Sequence, residues 1–374
     1  MNLRRLSLMT SVGLLTLFAC APVKVKVVPD GLQKQKDDAI AAFNGSVALL
    51  RGRRADYYKA VEKLIEAVRL NPELYEAQFD LGLLYARGND LANSQAAYRA
   101  ALAVRPGDRA ASFNLADVYR KNKKYDRAIE ILEKFITDNP KDFEARNNLS
   151  VLLRLKGEYD KAMQQARYVL ERDPGQVLAY NNLATIFSEK GEHEMARDLF
   201  RRALSLDPDN PRVLNNKGLA RLKEQAVQEA LELFNKAFEK GKNLPEAGLN
   251  AASAYMDSGD YTRAASMYKR IVQAIPGFLP ALVGHAVATR GLGRFEQAEK
   301  SYQQILGLDH TNPATLFNLG LLYMNYRKKP AWACEAFMRY LKSGRTDPEH
   351  AKRAKGYIED IHLADPNACK GGSK

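Results

Sequence analysis

The sequence predicts an all-helical array of stacked antiparallel helix pairs, and three regularities predict it. Six prolines (Pro72, Pro106, Pro140, Pro174, Pro208 and Pro276) sit on one 34-residue lattice. Twelve residues before the lattice points stand Ala60, Ser94, Ala128, Ala162, Ala196, Ala230, Ala264 and Ala298. Twenty-four residues before them stand Ala48, Gly82, Ala116, Ser150, Ala184, Gly218, Ala252, Ala286 and Gly320, again all small. Small side chains facing each other let two helices approach closely, while larger Leu and Tyr residues fill the remaining groove. The proline opposes helix propagation at the end of each period, and the residue before it is pushed out of helical geometry.

Taken in order, the helix pairs span 41–74, 75–108, 109–142, 143–176, 177–210, 211–244, 245–278, 279–312 and 313–347. Gly157, Gly191, Gly259 and Gly293 stand where the first helix of a pair must end, and supply the permissive backbone a sharp turn needs. The last pair carries one extra residue near Lys328-Lys329-Pro330, so Ala333 and Phe337 fall one place late. Residues 348–364 read as a terminal helix whose polar face caps the stack, and 365–374 as a flexible tail. The sixth pair is odd, with Lys217 and Arg221 at places held elsewhere by Leu and Tyr, and Lys242 where the lattice expects Pro. His285 and Thr289 are odd in the same way. Two readings stay open for the sixth pair: long side chains laying their stems along apolar surface, or a hinge or acid-binding spot.

The best-formed unit carries Leu81, Gly82, Tyr85, Tyr98, Ala101 and Pro106, and on these residues the array resembles the tetratricopeptide repeat. The resemblance covers roughly residues 41–364. It implies a right-handed solenoid of about nine helix-turn-helix repeats with a C-terminal capping helix, the first helix of each pair lining a concave groove. The sixth place of the units is held by Asn114, Asn148, Asn182, Asn216, Asn250 and Asn318; Asp80 and Gly284 break the column. Asn147, Asn181 and Asn215 hold the fifth place. The family's architecture points both places into the groove. A carboxamide donates and accepts, so a column of them could pair with the main chain of an extended protein segment, as in the family's asparagine-lined grooves. The alternative is that these amides satisfy solvent or neighbouring backbone.

Phe79, Leu83 and Phe113 are expected to line one end of that groove, and Leu249, Met256, Val283, Phe317, Leu321 and Met324 the other. Two apolar anchors would then flank an amide-lined centre. Arg120, Lys121, Arg154 and Arg290 could add carboxylate or phosphate contacts, or simply lie on solvated helix faces.

The first residues read as an export signal. A basic head with Arg4 and Arg5 precedes an apolar run from Leu6 to Phe18, too short to span a bilayer comfortably, and Leu17-Phe18-Ala19-Cys20 follows. This resembles a bacterial lipobox: residues 1–19 would be a cleaved signal peptide, Cys20 the lipidated N-terminus, and 20–40 a tether. An ordinary secretory signal or an uncleaved anchor is the other reading. Ala21 after the cysteine, rather than Asp, implies an outer-membrane position, facing the periplasm. There Cys334 and Cys369 could pair, or stay as one buried and one loose thiol.

The formal net charge of +13 fits a surface that meets acidic protein partners or anionic lipid. No aromatic-interleaved basic run suggests nucleic acid. The five histidines are scattered, and neither a P-loop nor a Gly-x-Ser-x-Gly elbow is present. The expectation is therefore a protein that is not an enzyme, with no cofactor, metal or small-molecule substrate. It would be a lipid-anchored scaffold for envelope proteins, with the length favouring gliding-motility machinery by resemblance. Type IV pilus or outer-membrane assembly, a cell-wall-binding module, and a non-catalytic substrate-delivery subunit of an enzyme are the alternatives.

Overall fold

A computed structural model of the chain describes residues 30–51, 56–241, 244–344 and 346–369, and among them the regular structure is entirely helical. These residues form two compact units that part between Pro208 and Asp209. The signal segment, Cys20 and the tether as far as residue 29 lie outside the described residues.

The N-terminal unit holds five hairpins: α1 (Asp30–Arg51) with α2 (Tyr57–Leu70), α3 (Tyr75–Arg87) with α4 (Leu91–Val104), α5 (Arg109–Lys121) with α6 (Tyr125–Asp138), α7 (Phe143–Lys156) with α8 (Tyr159–Arg172), and α9 (Val177–Glu189) with α10 (His193–Leu206). The C-terminal unit holds α11 (Pro211–Lys223) with α12 (Val227–Lys240), α13 (Pro245–Asp257) with α14 (Tyr261–Ala274), α15 (Leu279–Gly291) with α16 (Phe295–Leu308), and α17 (Pro313–Leu322) with α18 (Pro330–Lys342), followed by α19 (Pro348–Ala364). Within each unit the hairpins stack in sequence as a solenoid.

Acidic or amide residues start many of these helices. Asp56, Asp90, Asp108, Asp142, Asp260 and Asn312 each accept a hydrogen bond from the backbone N–H three residues on, satisfying a donor the helix cannot. The small-residue lattice does what its spacing suggests. A Cβ on Gly82 would come within 2.7 Å of the Tyr98 ring, and one on Gly218 within 2.6 Å of Phe234, so each glycine is the floor on which an aromatic of the second helix lies. Where the lattice has serine, the hydroxyl bridges the seam: Ser94 Oγ donates to Gly82 O at 2.7 Å and Ser150 Oγ to Ala162 O at 2.8 Å.

Two stretches differ from expectation, and two others settle what the spacing left open. Helix α1 begins at Asp30, so residues 30–40 are not tether, and Ala39 is wholly buried against the first hairpin. The extra residue of the last pair is absorbed as a π-helical turn at Tyr323–Arg327, ended by Lys328 at φ +52. The stretch read as a flexible tail is packed as far as residue 369: Ala368 is buried, and Cys369 is joined to Cys334 with Cα atoms 5.6 Å apart. Arg221 lies against Glu224 at 2.6 Å and Glu229 at 2.7 Å, so the sixth pair's odd guanidinium is neutralised inside its own hairpin. It is not an open acid-binding spot.

The hairpin turns require a left-handed residue after the first helix, met by Gly157 at φ +89 and Gly191 at φ +82, but by Gln225 at φ +61 and Lys123 at φ +55 in two other pairs. A side chain in that region strains the backbone where glycine does not. Gln225→Gly is expected to stabilise the C-terminal unit by about 0.5–1 kcal/mol, read as a higher urea midpoint with unchanged slope.

Candidate functional site

The face to consider in each unit is the one formed by the first helices, because there the amide column lies. Most of that column is used inside the protein. In the N-terminal unit Asn147 on α7 and Asn181 and Asn182 on α9 are buried. Asn182 Nδ2 donates to the Asn147 main-chain O at 3.1 Å, with Asn147 Oδ1 at 3.5 Å. In the C-terminal unit Asn250 Nδ2 donates to Asn215 Oδ1 at 2.8 Å, and Asn215 Nδ2 to Asn216 Oδ1 at 3.3 Å. Both inter-hairpin bonds follow one rule: the sixth-place amide of a hairpin reaches back to the fifth-place residue of the hairpin before it. A polar group enclosed between two helices must be paired, and here the partner is the next repeat.

Most of the column is thus taken up within the protein rather than left open to a ligand. Asn147, Asn181, Asn182, Asn215 and Asn250 staple neighbouring first helices or lie buried between them, and Asn216 is drawn into the same set. Asn318 is turned onto its own helix, donating to Ala314 O at 2.9 Å. Asn114 and Asn148 differ. They are half-buried at the sixth places of α5 and α7 and make no hydrogen bond to a described residue. The fifth place ahead of Asn114 is Phe79, which offers no side-chain acceptor.

Of the three aromatic anchors, Phe317 is corrected and the other two are half-buried. Phe79 packs edge-on to Tyr98 with centroids 5.6 Å apart, and Phe113 edge-on to Phe135 at 5.5 Å. Phe317 is 6% exposed among Phe337, Tyr340 and His350. The ring of Phe337 lies over Gly320 and encloses Phe317 in the seam, while Phe79 and Phe113 rest on rings of the second helices and stay half-buried. Leu83, Leu249, Met256, Val283, Leu321 and Met324 keep part of their surface exposed.

The cations on this face are engaged. Arg120 and Lys121 both hold Asp117, at 2.6 and 2.9 Å. Arg154 pairs with Glu189 of the next hairpin, and Arg290 Nη1 donates to Asn318 O at 3.3 Å. Burial works to raise the Asp117 carboxyl, yet Arg120 and Lys121 outweigh it and hold it below the ordinary range. Asp80 on α3 has no such help. Its half-buried carboxyl has no hydrogen bond or ion pair with a described residue. Burial first, and then Glu76, push it up to about 6, against only partial relief from Arg87. The sequence shows Asp80 only as an exception to the amide column, yet an acid in that place is the signal that marks it.

An open cleft of about 670 Å³ between α4 and α6 is lined by charges of both signs, among them Arg99, Arg127 and Glu130, and none of the asparagines reaches it. Among the described residues no cluster of three metal-ligating side chains occurs, and no helix is long and apolar enough to cross a membrane.

Models of the tetratricopeptide repeat match residues 47–94, 87–137, 120–177, 177–210 and 221–287. No curated protein matches the chain. Among solved structures, MamA (residues 41 to the end) from Desulfovibrio magneticus RS-1 is similar at 23% identity, covering 46% of this chain and 96% of its own, with TM-score 0.41. A tetratricopeptide repeat protein from Parabacteroides merdae is similar at 16% identity over 77% of this chain and 98% of its own, TM-score 0.41. A thermophilic tetratricopeptide repeat protein from Thermus thermophilus is similar at 21% identity over 47% of this chain and 96% of its own, TM-score 0.42.

Proposed function

Because the chain belongs to the tetratricopeptide-repeat proteins, we propose that it is a protein-interaction scaffold that holds an extended segment of a partner on the first-helix face of its N-terminal unit. The observation that carries this is the pair of amides on successive hairpins, Asn114 and Asn148, left without a partner where later amides are tied to one another. Each can give a donor and an acceptor to a main chain whatever its side chains are. The scaffold acts without catalysis, cofactor or metal, and binds no nucleic acid.

We place it in the cell envelope, anchored by lipid on Cys20 at the outer membrane and facing the periplasm. The lipobox-like stretch ending at Cys20 supports that position, and so does the Cys334–Cys369 bridge, since structural disulfides persist in oxidising compartments. The length of the array favours a large envelope assembly, of which gliding-motility machinery is the nearest type by resemblance.

A photo-reactive residue at Val151, half-buried on α7, tests the reading in cells. Crosslinks to envelope proteins are expected, with their yield falling about fivefold when Asn114 and Asn148 are both alanine, the effect of about 1 kcal/mol for lost hydrogen bonds. The mass of the captured chain reports whether Cys20 is acylated. Crosslinks indifferent to both substitutions would remove the face from the proposal.

A further inference from the structure

Asp80 stands at the same repeat place as Asn114 and Asn148, one hairpin earlier, so three successive first helices present an unpaired polar group in register. The other acids of this face are balanced. Glu76 holds Arg105 at 2.6 Å, Asp117 holds Arg120 and Lys121, and Glu189 holds Arg154. Asp117 is neutralised by Arg120 and Lys121, whereas Asp80 feels Arg87 of its own helix without forming an ion pair with it. A chain with a formal charge of +13 has cations in excess, yet sets none within ion-pair distance of this carboxylate among the described residues. A half-buried acid without a partner is costly, and chains do not keep such a group by accident of composition.

We propose that Asp80 is the specificity anchor of the face: it receives the lysine or arginine side chain of a bound polypeptide whose main chain runs on to Asn114 and Asn148. This rests on the scaffold reading above and adds to it the chemistry of the occupant. A cationic side chain fits better than a metal ion, because a hard divalent cation takes six or more oxygen ligands and Asp80 is a single carboxylate with amides beyond it. The charge sign also separates this segment from what the rest of the protein would attract. A +13 chain draws acidic partners in general, so a basic residue is accepted here only because one local carboxylate outweighs that field.

The test uses the chain with its disulfide intact and nonapeptides of alternating serine and glycine with one central arginine, citrulline or glutamate. Binding is read by backbone NMR shifts on α3, α5 and α7, and by the Asp80 carboxyl carbon. The arginine peptide is expected to bind about tenfold tighter than its citrulline twin, the usual margin of a charge-assisted over a neutral hydrogen bond. Asp80→Asn is expected to erase that difference while leaving the citrulline peptide's affinity unchanged and the urea midpoint no lower than that of the parent chain. Equal binding of arginine and citrulline peptides to the parent chain would overturn the assignment and leave the face itself standing. So would an arginine preference that survives Asp80→Asn. If none of the peptides shifts α3, α5 or α7, the scaffold reading of this face falls together with the anchor.

Discussion

Phe234→Ala is expected to destabilise the C-terminal unit by about 3–5 kcal/mol, seen as a lower urea midpoint and faster hydrogen exchange in α11 and α12. The ring is wholly buried and lies on Gly218 of the facing helix. Removing it takes away the transfer free energy of the side chain and leaves a hole that glycine has no atoms to fill. The reverse change strains the same seam. A Cβ on Gly218 would meet the ring at 2.6 Å, so Gly218→Ala forces either the ring or the helix to move and costs about 1–3 kcal/mol. Because the two residues share one contact, their effects must couple. Gly218→Ala combined with Phe234→Leu should lose clearly less than the two single changes added together. Strict additivity would mean that the seam is soft and that the spacing of small residues is not what brings the helices together.

That seam is also why the fold was so legible. A 34-residue lattice of Ala, Gly, Ser and Pro is a statement about helix separation, and Gly82 beneath Tyr98 and Gly218 beneath Phe234 obey it physically. Boundaries that depend on tertiary contact were harder to read. Residues 30–40 carry no lattice mark, yet Ala39 and Ala42 pack on the first hairpin and draw the helix back to Asp30. The added residue of the last pair was visible as a shift of Ala333 and Phe337, but not its form, since a π-helical turn needs one widened turn rather than any particular residue.

The site was legible in type and misread in detail. Asparagine at the fifth and sixth places announces an amide column, and the sequence alone leaves open whether an amide faces a ligand or the next helix. The structure decides residue by residue: Asn182 and Asn250 find an asparagine at the fifth place of the preceding hairpin, while Asn114 finds Phe79 there. Periodicity identifies equivalent places; it does not say whether the neighbouring repeat supplies an acceptor. For the same reason Phe317 looked like a face residue, whereas the ring of Phe337 comes in over Gly320 and encloses it; Phe79 and Phe113 stay half-buried, each edge-on to a ring of the second helix.

Removing the Cys334–Cys369 bridge, by reduction or as Cys334→Ser with Cys369→Ser, is expected to cost the C-terminal end about 3–4 kcal/mol, the loop-closure value for a separation of 35 residues. The loop encloses α19, whose hold on the stack is otherwise slight: Ala354 and Ile361 are its buried apolar residues, helped by Tyr357 on Phe337 at 5.3 Å and by Ala368 in the turn that follows. The loss should therefore be local. Exchange protection should fall in α19 and α18, with α11 to α14 unchanged, because a stacked array is held by neighbour contacts and transmits little beyond them. Uncapping also exposes Phe337 and Tyr340, which are buried in the intact cluster, so the reduced chain should associate at concentrations where the bridged chain stays dispersed. A bridged and a reduced chain with the same exchange pattern in α19 would show that packing alone closes the stack, and would also withdraw the support that this bridge lends to an oxidising compartment.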